Sequence, residues 1–194
     1  PIWAFSRNAR DTFEEVYRKY SFERYFDSFD HYYTIYQQRN TELWIEYGEG
    51  KITKDELNRQ RFSYPLQAVG VEDETLAEKF SEDFFAIIPT KSGLMPYAKE
   101  VLEYLVPKYN LYILSNGFRE LQSRKMRSAG VDIYFKKVIL SEDLGVLKPW
   151  PEIFNFALSA TQSELRESLM IGDSWEADIT GAHGIGMHLS LIHI

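Results

Sequence analysis

Residues 169–178 read Leu169-Met170-Ile171-Gly172-Asp173-Ser174-Trp175-Glu176-Ala177-Asp178. Three apolar residues before a glycine predict a short buried strand that ends in a turn, and the residues from Glu176 predict a helix. Asp173 and Asp178 are therefore expected at the carboxyl end of a strand, where an open parallel sheet binds its ligand. Two carboxylates at that place favour a hard cation such as Mg²⁺. The alternative is that Asp173 or Ser174 only caps the helix.

The sequence from Pro96 onward alternates between helical and strand patterns. This alternation predicts an α/β fold with a doubly wound parallel sheet and right-handed crossovers. The expected strands are residues 111–114, 138–140 and 169–171, and the expected helices are residues 97–106, 118–129, 151–159 and 176–183.

The first half of the chain reads as a run of helices. One is expected at residues 31–47, another at residues 74–88, and Thr53 with Glu56 forms a capping box that opens a helix ending before Pro65. The aromatic stripes of these helices are interpreted as core, and no cofactor is assigned to them. A boundary is expected near residues 89–96, between this helical lobe and the α/β lobe.

Composition limits the classes of function. The 194 residues include 22 basic and 29 acidic side chains, and the net charge of -7 disfavours nucleic acid polymers and anionic membranes as partners. There is no cysteine, hence no thiolate metal site and no cysteine nucleophile. We read the chain as a cytoplasmic protein with neither a signal peptide nor a membrane-spanning segment.

Polar side chains follow each expected strand. Ser115-Asn116-Gly117 follows the first, Ser141-Glu142 the second and Gly172-Asp173 the third. A hydroxyl beside the amides of a glycine turn suits a phosphoryl oxygen, although such a tripeptide is also an ordinary turn. Lys148 lies in Leu147-Lys148-Pro149-Trp150-Pro151, where flanking prolines restrain its main chain. An ammonium group there can neutralise a transferring phosphoryl group, whereas alone it would be a surface lysine.

As a set, these residues resemble a known family. The order and spacing of Ser115, Lys148-Pro149, Gly172-Asp173 and Asp178 are similar to the second, third and fourth motifs of the haloacid dehalogenase superfamily, mostly magnesium-dependent phosphatases that form an aspartyl-phosphate. Details such as Ser115-Asn116-Gly117-Phe118 resemble the branch that contains pyrimidine 5'-nucleotidases. The resemblance covers nearly the whole chain.

The resemblance implies a fold and a domain organisation. The sheet would be doubly wound and Rossmann-like, with an all-helical cap domain at residues 11–90, an α/β core domain at residues 91–194, and residues 1–10 as the remnant that follows the first motif. The family's first motif, a central strand ending in Asp-x-Asp with the nucleophile and the general acid and base, is absent from this chain. We therefore expect a fragment that folds poorly alone, and a foreign or truncated tail at residues 189–194.

The resemblance also implies roles for five residues. Ser115 would hydrogen-bond the phosphoryl group, assisted by the Asn116 amide, and Lys148 would stabilise charge on that group and on the nucleophile. Asp173 would contact Mg²⁺, while Asp178 would act behind the metal or position Lys148. The substrate would be a small phosphate ester, a nucleoside 5'-monophosphate.

Two other functions stay open at this point. A metal-independent haloacid dehalogenase would act on carbon, but Gly172-Asp173 argues against it because those enzymes usually carry a serine-asparagine pair there. A non-catalytic protein that binds a phosphate ester would also lack the two aspartates of the first motif. Of the histidines, His188 and His193 are expected in a strand, and no metal is assigned to any of them.

Overall fold

The computed structural model describes residues 2–192, which form two units. One unit, Phe5–Lys91, is helical throughout. Its α-helices are α1 (Phe5–Lys19), α2 (Phe29–Gly48), α3 (Lys54–Ala68) and α4 (Glu74–Ile87), with short 3₁₀ turns at Phe22–Arg24 and Ile88–Thr90. The capping box at Thr53 is confirmed, since its hydroxyl accepts from the Glu56 N–H and the Glu56 carboxylate accepts from the Thr53 N–H.

An aromatic cluster fills the helical unit. Phe13 of α1 is 1% exposed, and its ring centroid lies 4.1 Å from that of Tyr36 and 4.3 Å from that of Phe84. The interpretation of these aromatic stripes as core is therefore confirmed. One charged side chain joins them, because Arg61 is buried and its guanidinium lies 5.1 Å from the centroid of Phe85.

The prediction that α3 ends before Pro65 is wrong. The helix continues through Pro65 to Ala68, and Pro65 is buried. A proline inside a helix removes one main-chain hydrogen bond and costs about 3 kcal/mol. Here α3 packs along both α2 and α4, and burial of its apolar side chains outweighs the local preference.

The second unit is α/β and comprises residues 2–4 and 92–192 of the described chain. Residues 2–4 pair antiparallel with residues 93–95 through a bridge between Trp3 and Leu94. The strands are β1 (Tyr112–Ser115), β2 (Lys137–Leu140), β3 (Leu169–Gly172) and β4 (His188–Leu191). The helices are α5 (Ala98–Leu105), α6 (Arg119–Ser128), α7 (Pro151–Thr161) and α8 (Gly181–Gly184), with 3₁₀ turns at Asp132–Tyr134, Ser141–Asp143 and Leu165–Glu167.

The strands form two parallel pairs. In one pair, β1 runs parallel to β2 with Ser115 opposite Leu140, and in the other β3 runs parallel to β4 with Gly172 opposite Leu191. Among the described residues, no ladder joins β1 to β3. The parallel pairing confirms the expected α/β pattern, and the division into two pairs leaves one edge of β1 and one edge of β3 without a strand partner.

Helices cover the two faces of β1. Ile113 packs against the cluster of Leu102 in α5 and Met126 in α6, whereas Leu114 packs against the cluster of Ile153, Phe154 and Ala182 from α7 and α8. Met170 of β3 packs against the same second cluster, so that β1 and β3 share one core. This double layer is what the alternating helices and strands predicted.

The opposite face of β3 is exposed. Leu169 is 55% exposed and Ile171 is 39% exposed, although both were expected in a buried strand. His188 lies in β4 as expected, while His193 and the last residue of the expected tail lie outside the described residues. Within residues 2–192, no helix is both long and apolar enough to cross a membrane.

Candidate active site at the ends of β1 and β3

Asp178 is the buried carboxylate of the site. The expected helix from Glu176 begins as a π-helix at Trp175–Thr180, which turns the Asp178 side chain back towards the end of β3. One carboxylate oxygen of Asp178 accepts from the main-chain N–H groups of Asp173 and Ser174, each at 3.1 Å, and the residue is 4% exposed. A Cβ at Gly172 would overlap Asp178, so this approach requires glycine.

The helix cap is supplied by Ser174. Its hydroxyl accepts from the Ala177 N–H at 3.0 Å, which satisfies one N–H of the first turn. The prediction that Ser174 could cap the helix is therefore confirmed. Asp173 is not the cap, and it presents an exposed carboxylate at the carboxyl end of β3.

Lys148 connects the two strand pairs. Its Nζ lies 2.5 Å from Asp178 Oδ1 and donates to the Leu114 carbonyl of β1 at 3.0 Å. The side chain is 11% exposed, which makes this a mostly buried ion pair. An ammonium group carries three N–H bonds, and these contacts account for two of them among the described residues. The third N–H has no acceptor among residues 2–192.

Ser115 and Asn116 form the turn that leaves β1. The Ser115 hydroxyl accepts from the Gly117 N–H at 3.0 Å, as in an ordinary serine turn. The Asn116 side chain faces Lys148, because its Nδ2 donates to the Lys148 carbonyl and its Oδ1 accepts from the Lys148 N–H. A Cβ at Gly117 would lie 3.2 Å from the Ser115 hydroxyl and 3.3 Å from Gln122 Oε1, so Gln122 also lines this turn.

Sequence reasoning did not predict that the turn after β2 contacts the start of α6. Glu142 accepts from the Arg119 N–H at 2.7 Å and thereby caps α6 from a different loop. Asp143 pairs with the Arg119 guanidinium and accepts from the Leu140 N–H, and these contacts hold the pKa of its carboxyl below the usual value. The sequence does show an acidic pair directly after a strand. It does not show that Glu142 would contact Arg119, which lies 23 residues earlier.

The structure therefore brings together four of the five predicted site residues through direct contacts. Asn116, Lys148, Asp178 and the main chain of Asp173 form one connected set of hydrogen bonds. Ser115 is adjacent to both Leu114 and Asn116, which carry contacts to Lys148. The set lies at the carboxyl ends of β1 and β3, where a parallel sheet places its ligand.

The donor set fits Mg²⁺ in part. Mg²⁺ in phosphate-handling sites uses one or two carboxylates, several waters and the oxygens of the substrate. Asp173 is an exposed residue at the carboxyl end of β3, and the Asp178 carboxylate is bound by an ammonium group and two amides. Residues 2–192 contain no group of three or more acidic or histidine side chains placed to hold a metal ion.

The chain is similar in sequence to known hydrolases. The chain is 34% identical over 154 residues to YfnB of Bacillus subtilis and 33% identical over 153 residues to the pyrimidine 5'-nucleotidase YjjG of Escherichia coli. Each alignment includes 78% of this chain, and the chain spans about two thirds of the length of these relatives, 64% of YfnB and 66% of YjjG.

Solved structures agree with the sequence comparison. The crystal structure of YfnB bound to magnesium superposes with a TM-score of 0.88 and 27% identity, over 98% of this chain and 83% of YfnB. The L-2-haloacid dehalogenase of Xanthobacter autotrophicus shares the fold, with a TM-score of 0.73 and 20% identity over 95% of this chain and 71% of that protein.

A family description also covers nearly all of the chain. The haloacid dehalogenase-like hydrolase family matches residues 3–186, a range that contains the whole helical unit, most of the α/β unit and all five predicted site residues. The chain therefore belongs to the haloacid dehalogenase-like hydrolase family, with an α/β core and a helical cap.

Proposed function

We propose that this chain forms most of a phosphatase that hydrolyses a small phosphomonoester, a nucleoside 5'-monophosphate. The observation that carries the proposal is the position of Lys148, whose ammonium group lies at the ends of β1 and β3 with one N–H not used by the described residues. A cation held in a mostly buried pair stabilises the charge that develops on a transferring phosphoryl group. The pyrimidine 5'-nucleotidase YjjG, at 33% identity, supports the choice of substrate class.

Each residue of the site has a role in this proposal. The Ser115 hydroxyl and the Asn116 main-chain N–H would bind phosphoryl oxygens, because both lie at the end of β1 beside Lys148. Asp178 would hold the Lys148 ammonium group in place. Asp173 would be a ligand of Mg²⁺, which supplies further charge neutralisation when it is bound.

We further infer that the attacking carboxylate comes from a strand outside the described residues. The edges of β1 and β3 that lack a strand partner lie on the two sides of the Lys148 contact, which supports a position for such a strand between them. By itself, the described chain would then bind a phosphate ester without forming the aspartyl-phosphate. This would make residues 2–192 catalytically inactive.

The test is a hydrolysis assay on the natural gene product that contains this chain. Release of inorganic phosphate from nucleoside 5'-monophosphates, with ribose 5-phosphate as a non-nucleotide ester, would be measured with Mg²⁺ and with a chelator. We expect hydrolysis that the chelator abolishes, and a loss of at least about 100-fold in Lys148→Met and Asp173→Asn. Asp132→Asn is the matched control, since Asp132 is also an exposed aspartate but precedes the amino end of β2.

Three results would overturn the proposal. Chloride release from a 2-haloacid that survives the chelator would identify a dehalogenase, a chemistry also found on this fold. Binding of nucleotides without turnover by the natural gene product would identify a binding protein. Equal activity in Asp173→Asn and Asp132→Asn would remove Asp173 from the site.

A further inference from the structure

The side chain of Asn116 makes a two-point contact with the main chain of Lys148. Asn116 Nδ2 donates to the Lys148 carbonyl at 3.0 Å, and the Lys148 N–H donates to Asn116 Oδ1 at 2.8 Å. The Lys148 N–H can only donate, which fixes the orientation of the amide. A carboxylate could not donate to the carbonyl, and a hydroxyl is too short to reach both groups. The contact therefore specifies a primary amide at this position.

The far side of the same loop is held by α8. A Cβ at Gly181 would lie 2.6 Å from the Pro149 carbonyl oxygen and would also overlap the ring of Phe154. The main chain at Lys148 and Pro149 is thus contacted both by the Asn116 side chain and, closely, by a glycine of α8. Close packing of this kind leaves a loop few alternative positions.

Both ends of Lys148 are positioned by residues of one strand and its turn. Asn116 holds the main chain, and the Leu114 carbonyl of β1 accepts from Nζ at 3.0 Å. Ser115 lies between these two residues in sequence. A shift of the Lys148 loop relative to Ser115 would therefore break contacts at both ends of the lysine.

We propose that Asn116 is a positioning residue, which sets the place of the Lys148 ammonium group relative to Ser115 and Asp178 through its two hydrogen bonds to the Lys148 main chain. What Lys148 does for a substrate rests on the proposed function, but the positioning itself does not. The side-chain amide is thereby committed to Lys148 and is not a ligand contact, while its main-chain N–H keeps the phosphate-binding role proposed above.

The first experiment measures the position of Lys148 without any substrate. Amide hydrogen exchange of Lys148 and the NMR shift of its Nζ would be recorded in the natural gene product and in Asn116→Ala and Asn116→Asp. We expect at least about tenfold faster exchange and a displaced Nζ signal in both variants. Asn116→Asp is the more specific test, because it keeps the shape of the side chain but places a carboxylate oxygen, which cannot donate, against the Lys148 carbonyl.

The matched control is Glu142→Ala, which removes the carboxylate that accepts from the Arg119 N–H at the start of α6. It is expected to lower the melting temperature as Asn116→Ala does, while the Lys148 signals stay at their native positions. Lys148 signals that are unchanged in Asn116→Ala, or that move equally in Glu142→Ala, would overturn the proposal.

The second experiment separates positioning from binding. In the phosphatase assay, Asn116→Ala should lower kcat by about 100-fold with a much smaller change in KM, because a displacement near 1 Å at the reacting group has effects of that size. Glu142→Ala should stay within about threefold of the native kcat. If the native protein does not hydrolyse phosphate esters, the proposed function fails, and the exchange experiment alone still decides the role of Asn116.

Discussion

Lys148 and Asp178 come from positions 30 residues apart, and their contact of 2.5 Å joins two strand pairs that share no ladder within residues 2–192. Lys148 also binds the end of β1, while Asp178 binds the two amides that follow β3. The ion pair therefore fixes the carboxyl ends of both strands with respect to each other. It contributes to the structure as well as to any chemistry at that edge.

Loss of Lys148 is expected to destabilise the fold. Lys148→Met leaves the Asp178 carboxylate buried with only two amide donors, and the free energy of unfolding should fall by about 3 kcal/mol. In Lys148→Met/Asp178→Asn the buried charge is gone, so the double variant should lose at least about 1 kcal/mol less than the sum of the single variants. Urea unfolding measures all three, and strictly additive losses would contradict the pair as described.

Gly172 is expected to be intolerant of any side chain. In Gly172→Ala the new Cβ displaces Asp178, so the free energy of unfolding should fall by about 1–3 kcal/mol and the Lys148 contact should weaken. Gly184→Ala is the matched control, because nothing lies within 4 Å of its Cβ position in α8. That variant should be neutral or slightly stabilising. Equal losses at the two positions would show that Asp178 does not require the close approach.

The stability contributed by Asp143 should depend on pH. Its pKa is lowered by the Leu140 N–H and by Arg119, so the native state favours the charged carboxylate. The contribution is fully present above the unfolded pKa of about 3.9 and is lost as the pH falls through the lower native value. Asp143→Asn should therefore cost about 1 kcal/mol at pH 7 and progressively less below pH 4. A difference that stays constant down to pH 2 would contradict this linkage.

Lys125 should be an unusually reactive lysine near pH 8. Burial lowers the pKa of Lys125 to about 8, whereas the Glu49 carboxylate raises the pKa of Lys51. The neutral amine is the nucleophile, so acetylation at pH 8 should label Lys125 several times faster than Lys51, and the ratio should fall as the pH rises towards 10. Mass spectrometry of partially labelled protein gives the ratio. Labelling of Lys51 as fast as Lys125 at pH 8 would show that Lys125 keeps its charge.

The lowered pKa of Lys125 should also make the stability of the protein depend on pH. The unfolded lysine binds its proton up to a higher pH than the native one, so the free energy of unfolding should rise with pH between about 8 and 10.4. Lys125→Met removes this titration and should flatten that part of the curve. The Trp3 ring, 5.0 Å from Nζ, partly offsets the cost of the charge below pH 8.

The strands and most helices followed from local patterns. The run before Gly172 gave a strand because apolar residues end there in a turn, and the capping box at Thr53 is a purely local signal. Pro65 misled the prediction of α3, since its burial between helices is a tertiary effect. The π-helix at Trp175–Thr180 has no local signature that separates it from an α-helix.

The sequence predicted which residues belong to the candidate site but not how these residues contact one another. Lys148 and Asp178 were singled out by motif, and the structure places them in an ion pair. The pairing of Asn116 with the Lys148 main chain spans 32 residues, and no pattern in the sequence reports which main-chain groups a side-chain amide will meet. Such contacts depend on how two loops are brought together by parallel strands.

The exposed face of β3 is expected to favour self-association of this chain in solution. Leu169 and Ile171 present apolar side chains to solvent beside a strand edge that has no ladder partner among the described residues. Such an edge recruits other strands, including those of a second molecule. The isolated chain is therefore expected to self-associate as its concentration rises, and every titration of it should be repeated at several dilutions.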